Sequence, residues 1–237
     1  MESAGKLSVE RNTSYFSDKS LTTMQQIMNT KTYPANDLIF HEGSRINKLF
    51  FIESGRVKLS KLNEEGKNLI FHYFFPMDLF GEFNGKDEQT TPFTARAVEN
   101  SCIGVIEYTA FEKLLLENNA LMIEFMQWQN HMKRFVQLKL RDLLFHGKDG
   151  ALASAILRSA NTFGEKRNNH IFVTQKFTNS DFAEMVGSSR ETINRLLLSF
   201  KKEGIISYQN GWIEVLDMSR LKELCHCEEC PVSICRL

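Results

Sequence analysis

At 237 residues and 42% hydrophobic content, the chain has apolar material for one large or two modest packed domains. Lysine plus arginine and aspartate plus glutamate balance at 29 each, which excludes a bulk cationic field; any nucleic-acid contact must come from a local patch. No apolar run reaches the roughly 18 residues that a membrane span needs.

The N-terminus has no signal-peptide pattern, so a cytoplasmic protein with no membrane partner is expected. In that compartment the five cysteines read as ligands or redox thiols rather than disulfides. Residues 1–17 are polar and read as a loose segment. From Asp18 to about Asn29, the placing of Leu21, Met24, Ile27 and Met28 predicts a short amphipathic helix. Between Thr32 and Tyr108 the texture changes to short runs rich in β-formers, broken by Gly43, Gly55 and Gly66. Strands of this length with regular turns predict a small β-barrel or jelly roll.

Phe111–Leu116 begins helical structure, and a long helix is predicted from about Ala120 to Phe145, ended by Gly147. Leu121, Phe125, Trp128, Met132 and Phe135 recur at spacings of three and four, which is the pattern of a short coiled-coil-like seam. Packing on the domain's own core would give the same pattern. Dimerisation is the favoured reading, because helix-turn-helix proteins bind two-fold operators as two-fold assemblies. Continued onward, the seam meets Lys139 and then Asp142, so its apolar character stops there. His146–Gly150 reads as a hinge, with Gly147 and Gly150 supplying backbone freedom. A helix (ALASAILRSANTF), a polar loop and a strand (HIFVT) follow.

The stretch Phe177–Phe200 carries the clearest chemistry. Thr178 is a good N-cap, Phe182, Ala183 and Val186 give a short helix its apolar face, and Gly187 permits a tight turn. Ser188 or Ser189 caps a second helix over about 190–202. Its Ile193, Leu196, Leu197 and Phe200 share one face, and Arg190, Glu191, Asn194 and Arg195 lie largely on the other. Arginine suits guanine, glutamate the cytosine amino group and asparagine adenine. Ile205–Tyr208, the Asn210-Gly211 turn signal and Trp212–Leu216 then form a hairpin, so the unit is a winged helix-turn-helix that reads double-stranded DNA.

After a short helix (MSRLKEL) the chain ends with Cys225, Cys227, Cys230 and Cys235 crowded together, which points to a metal or cluster site. Cys102, in a β-run, reads as a small buried core residue. The tail's spacing leaves three chemistries open: an iron–sulfur cluster, zinc (with His226 as a further donor) or a thiol–disulfide switch. The histidines show no nucleophile–base pattern and no glycine-rich phosphate loop is present, so an enzyme is not expected.

The run GSSRETINRLL resembles the recognition helix of the CRP/FNR superfamily of bacterial transcription regulators, and the similarity spans nearly the whole chain. The resemblance implies an α+β architecture with four parts. These are a helix plus a cyclic-nucleotide-binding-type β-roll over 1–117, a dimerisation helix over 118–146, a winged helix-turn-helix over 147–217, and a cysteine tail over 218–237. It implies base contacts by Arg190, Glu191 and Arg195, with Asn194 at a position that varies between subfamilies, and phosphate contacts by Thr178 and Ser189. It also implies a homodimer on a two-fold symmetric operator, working with RNA polymerase.

Nucleotide-binding members of the family have a glutamate matching Glu82, followed by an Arg-Ser or Arg-Thr pair that holds the phosphate. This chain has Thr91-Pro92-Phe93 there, so an anion in the roll would lack its cation, and no cyclic nucleotide is expected. Lys86 is the nearest substitute and reads as a solvated loop residue. The C-terminal cysteines resemble the Bacillus-type branch of FNR oxygen sensors. By that resemblance Cys227, Cys230, Cys235 and Asp142 hold a four-iron–four-sulfur (4Fe-4S) cluster, and Cys225 is spare unless it or His226 replaces Asp142. The implied function is an oxygen-responsive, anaerobic regulator; the alternative is a CRP-like regulator sensing a small molecule in the roll, with a structural zinc or thiol-redox tail.

Overall fold

The fold was derived from a computed structural model, which describes residues 10–84 and 90–237. The readings made for Lys86 and for residues 1–9 fall outside the described residues. The chain forms two compact units: Arg11–Leu62 with Ile70–Lys133, and Arg134–Leu237 with Asn63–Leu69.

The first unit is built on eight short strands: β1 (Asn29–Tyr33), β2 (Leu38–Phe40), β3 (Lys48–Ser54), β4 (Val57–Leu62), β5 (Asn68–Phe74), β6 (Leu79–Gly81), β7 (Thr94–Ala97) and β8 (Ser101–Glu107). They form two four-stranded sheets in the orders β1-β8-β3-β6 and β2-β7-β4-β5. The unbroken apolar run of β3 follows from burial on both faces. Phe50 and Ile52 face a core shared with Phe40, Phe74, Phe80 and Ile103 of the other strands. Leu49 and Phe51 face a second core, made with the helices α1 (Asp18–Gln25), α2 (Tyr108–Glu117) and α3 (Asn119–Phe145). Phenylalanine rings fill the first core; those of Phe50 and Phe74 stack on Phe80 at centroid distances of 5.1 and 4.8 Å.

The structure corrects three expectations here. Polar residues 12–15 are not loose, because Asn12 is buried as a substitute strand edge beside β6. Its side chain bonds both backbone groups of Leu79 at 2.8 Å, and its own N–H donates to Asp78 at 2.7 Å. Cys102 is half-buried rather than in the core; its thiol donates to Glu53 at 3.2 Å, and that hydrogen bond raises its pKa. The third correction concerns α3. Leu121, Phe125 and Trp128, assigned to a dimer seam, pack into the helix-side core of their own unit with Phe111 and Leu115, and Met132 packs against it. The reason is aromatic bulk: Phe125 stacks on Trp128 at 5.4 Å and meets Phe111 edge-on at 5.0 Å, which leaves no ring to offer a second chain.

In the second unit, α4 (Gly147–Phe163) begins one residue after α3 ends. The expected hinge is therefore only His146 and Gly147, whose φ of +64° turns the chain. Gly150 lies inside α4 and serves close packing instead, since a Cβ there would sit 2.8 Å from the carbonyl oxygen of Leu224. The remaining elements are β9 (Gly164–Arg167), β10 (His170–Val173), α5 (Asn179–Val186), α6 (Arg190–Lys202), β11 (Ile206–Gln209), β12 (Trp212–Val215) and α7 (Met218–Leu224). The strands form one sheet in the order β11-β12-β10-β9. The charged GEKR run of β9 shows no alternation in sequence and becomes a strand only through pairing with β10. No helix among the described residues is long and apolar enough to cross a membrane. Phe125→Ala is expected to lower unfolding free energy by about 3–5 kcal/mol in urea titration, the cost of emptying an aromatic core site.

Candidate nucleic-acid interface and cysteine tail

The DNA-reading element is built by local chemistry. Thr178 caps α5 in a reciprocal capping box with Asp181, and Gly187 ends that helix at φ +61°. Ser189 caps α6 by accepting from the N–H of Thr192. Ile193, Leu197 and Phe200 of α6 are buried, as are Phe182 and Val186 of α5. Arg190, Glu191, Asn194 and Arg195 are all exposed on the opposite face. Asn210 and Gly211, both at positive φ, turn β11 into β12 as a two-residue hairpin. Thr178 and Ser189 are thus helix caps first: the Thr178 hydroxyl donates to Asp181 at 2.8 Å and the Ser189 hydroxyl to Thr192 at 3.0 Å.

The tail leaves α7 at Cys225 and folds back on α4. Arg158 of α4 donates to the carbonyl of Ile234 at 2.9 Å, Asn161 to that of Cys235 at 2.7 Å, and the N–H of Leu237 donates to Thr162 at 3.1 Å. Ile234 and Leu237 are buried. Between Cys227 and Cys230, Glu228 pairs with Arg141 near the end of α3 at 2.5 Å. His226 stacks on His146 with ring centroids 5.0 Å apart.

Asp142 lies in the same place. It is 4% exposed, and its carboxylate accepts from Ser154 at 2.5 Å, Arg158 at 2.9 Å and Arg141 at 2.8 Å. Burial alone would raise its pKa, but the Arg158 charge and these three donors outweigh it and hold the carboxyl below its usual value. The thiols feel one another across this site. Burial, then the neighbouring Cys227, Asp142 and Cys235, push Cys225 up to about 12. Burial likewise raises Cys235, reinforced by Cys227, Cys230 and Asp142 and opposed by Arg158. Among the described residues no three His, Cys, Asp or Glu side chains stand in a metal-ligating arrangement. The donor types nevertheless suit a thiolate-bound metal or cluster, since soft sulfur donors and one carboxylate lie in one neighbourhood beside cationic Arg141 and Arg158.

Residues 30–118 match the cyclic nucleotide-binding domain family and residues 150–224 match the Crp-like helix-turn-helix domain family. The chain belongs to the CRP/FNR family of DNA-binding transcription regulators. Among its relatives, the anaerobic regulatory protein of Bacillus subtilis is 33% identical over 90% of this chain and 91% of that one. A CRP-like cAMP-activated global transcriptional regulator of Mycobacterium tuberculosis is 25% identical over 80% of this chain and 84% of that one. A solved structure of CooA, a mutant protein from Carboxydothermus hydrogenoformans, superimposes with a TM-score of 0.73 at 22% identity, covering 85% of this chain and 89% of that one. FixK2 of Bradyrhizobium japonicum does so at 0.71 and 17%, covering 84% and 97%. The two sequence relatives are regulators, and this chain is a regulator rather than an enzyme.

In this CRP/FNR regulator Glu82 is already engaged, accepting from Thr91 at 2.5 Å and from Asn84 at 3.0 Å. Thr91 is itself 1% exposed. Sequence reading missed Arg158, Ser154 and Arg141 as partners of Asp142. Arg158 did carry a signal, because it is a lone cation inside the small, apolar run ALASAILRSA.

Arg158→Ala removes the buried counter-charge of Asp142, leaving it only Arg141 and Ser154, and frees the tail's backbone; it is expected to cost about 3–5 kcal/mol of stability, measured by urea unfolding of metal-free protein. Glu191→Ala and Arg195→Ala are each expected to lose about 1–3 kcal/mol of discrimination at one base-pair position. Competition binding to singly substituted operators reads this out, and an equal loss on every sequence would mark them as phosphate contacts instead.

Proposed function

We propose that this regulator is oxygen-responsive and acts under anaerobic conditions, with Cys227, Cys230, Cys235 and Asp142 holding a 4Fe-4S cluster. The observation that carries the reading is that Arg158 bonds both the buried carboxylate of Asp142 and the carbonyl of Ile234, which sets the cysteine tail beside a residue 85 positions before Cys227 in sequence. When bound, such a cluster supplies an oxidisable centre whose loss reports the presence of oxygen. The remaining work falls to the chain. Asp142 brings the end of α3 to the site, and the three cysteines bring the segment that follows α7. Arg158 and Asn161 hold the tail's carbonyls against α4, so the donors are kept near one another before anything binds.

Cys225 is the least suited of the four tail cysteines to be a ligand. It is 3% exposed, whereas Cys227, Cys230 and Cys235 are only half-buried. His226 is turned toward His146, with which it stacks. A site that joins α3 to the tail ties the helix preceding the DNA-binding elements to the segment that follows them. Occupancy then favours whichever arrangement of these elements the donors fit, which is how differential contacts select a state.

Homodimerisation is proposed through another face of α3 than the aromatic one. Ile123 and Met126, then Leu140 and Leu144, lie along it at 57%, 65%, 53% and 68% exposure, two apolar patches separated by Asn130, Lys133 and Gln137 and fit to meet their own copy. Two copies would present two α6 helices to a two-fold operator in the cytoplasm and recruit RNA polymerase there. With Thr91 bonded to Glu82, the roll is proposed to act as a scaffold without a nucleotide.

Protein prepared without oxygen is expected to be brown and to contain iron and acid-labile sulfide. Cys227→Ala, Cys230→Ala and Cys235→Ala should each empty the site and abolish specific DNA binding, while Cys225→Ala should keep both. Stoichiometric zinc in colourless protein would overturn the cluster and favour the small-molecule-sensing reading, and a monomer in sedimentation would overturn the two-fold part.

A further inference from the structure

A chain of hydrogen bonds runs from the wing into the reading helix. The hydroxyl of Tyr208, in β11, donates to Oδ1 of Asn179 at 2.8 Å and also lies 3.1 Å from the carbonyl oxygen of Phe177. Nδ2 of Asn179, the first residue of α5, donates to Oδ1 of Asn194 on α6 at 3.0 Å. Tyr208 is half-buried, whereas Asn194 is exposed. Three elements therefore fix one amide on the surface that faces DNA.

We propose that Tyr208 and Asn179 are positioning residues that set the base preference of Asn194 by fixing its amide with the nitrogen outward. An unconstrained asparagine reads adenine with both ends of its amide, accepting from N6 and donating to N7. Here Oδ1 is turned back to Asn179, so Nδ2 is the atom left for the groove. A lone donor favours an edge that shows acceptors, as guanine does with O6 and N7 and thymine with O4. It disfavours cytosine, whose N4 amino group meets it donor to donor. The pattern predicts a guanine or thymine at the base facing Asn194, and discrimination against cytosine. This inference rests on α6 entering the major groove and is independent of what the tail binds.

The test uses full-length protein purified without oxygen and a duplex library in which each half-site position is varied in turn. Wild-type protein is expected to prefer guanine or thymine over cytosine by roughly tenfold at one position. Asn194→Ala should erase that preference and leave the other positions as they were. Tyr208→Phe, which keeps the ring, and Asn179→Ala should each reduce it to about threefold or less by freeing the amide to turn over. Asn194→Asp should move the preference toward cytosine, because the outward atom becomes an acceptor. Cytosine as the wild-type choice would overturn the proposal, as would full preference in both Tyr208→Phe and Asn179→Ala. If Glu191→Ala changes a base position and Asn194→Ala changes none, the proposal fails and α6 still reads DNA. If neither changes any position, α6 is not the reading helix.

Discussion

The pairing of Asp142 with Arg158 is the interaction on which the DNA-binding unit's architecture turns. A carboxylate at 4% exposure is tolerable only with a cation and hydrogen-bond donors around it, and Arg158 supplies both while Ser154 and Arg141 complete the shell. The same guanidinium spends a further donor on the carbonyl of Ile234, so one side chain joins the end of α3, the middle of α4 and the C-terminal tail. Its planar fork suits that work better than an ammonium would. Arg158 also lies 5.6 Å from the ring of Phe135, which extends the tie to the aromatic face of α3.

That arrangement gives the tail cysteines a fixed address. Thirteen residues with little regular structure would ordinarily wander, yet Ile234, Arg236 and Leu237 are buried and the backbone between them is bonded to α4. The thiols are gathered by the burial of their neighbours rather than by bonds among themselves. Burial raises the pKa of Cys235, and the Arg158 charge, which favours the thiolate, works against that rise. The carboxylate has its own counter-charges and donor in Arg158, Arg141 and Ser154.

Much of the fold was legible because its signals are local. The winged helix-turn-helix announces itself through caps, a glycine at positive φ, helical periodicity and the Asn210-Gly211 turn, all set by residues within a few positions of one another. The β-run texture of 32–108 likewise predicts a small β-barrel or jelly roll, which the family resemblance narrows to the β-roll. What failed was the partner of the aromatic face on α3: spacing of three and four says that a face is apolar and says nothing of what covers it. Leu121, Phe125 and Trp128 are covered by Phe111, Leu115 and Leu79 from the same unit, which frees a different stripe. Asn12 and β9 were missed for a related reason, since each takes its structure from a distant strand.

The helix-turn-helix, the family and the cysteine-rich tail can be read from the order of residues, because short-range chemistry and motif spacing carry that information. Folding in three dimensions is what turns Asp142 toward α4 and not a seam, makes Arg158 its counter-charge and links Tyr208 and Asn179 to Asn194. Each of these is a contact between residues far apart in the chain, and a side chain's charge in a sequence does not reveal which distant group its burial will force it to satisfy.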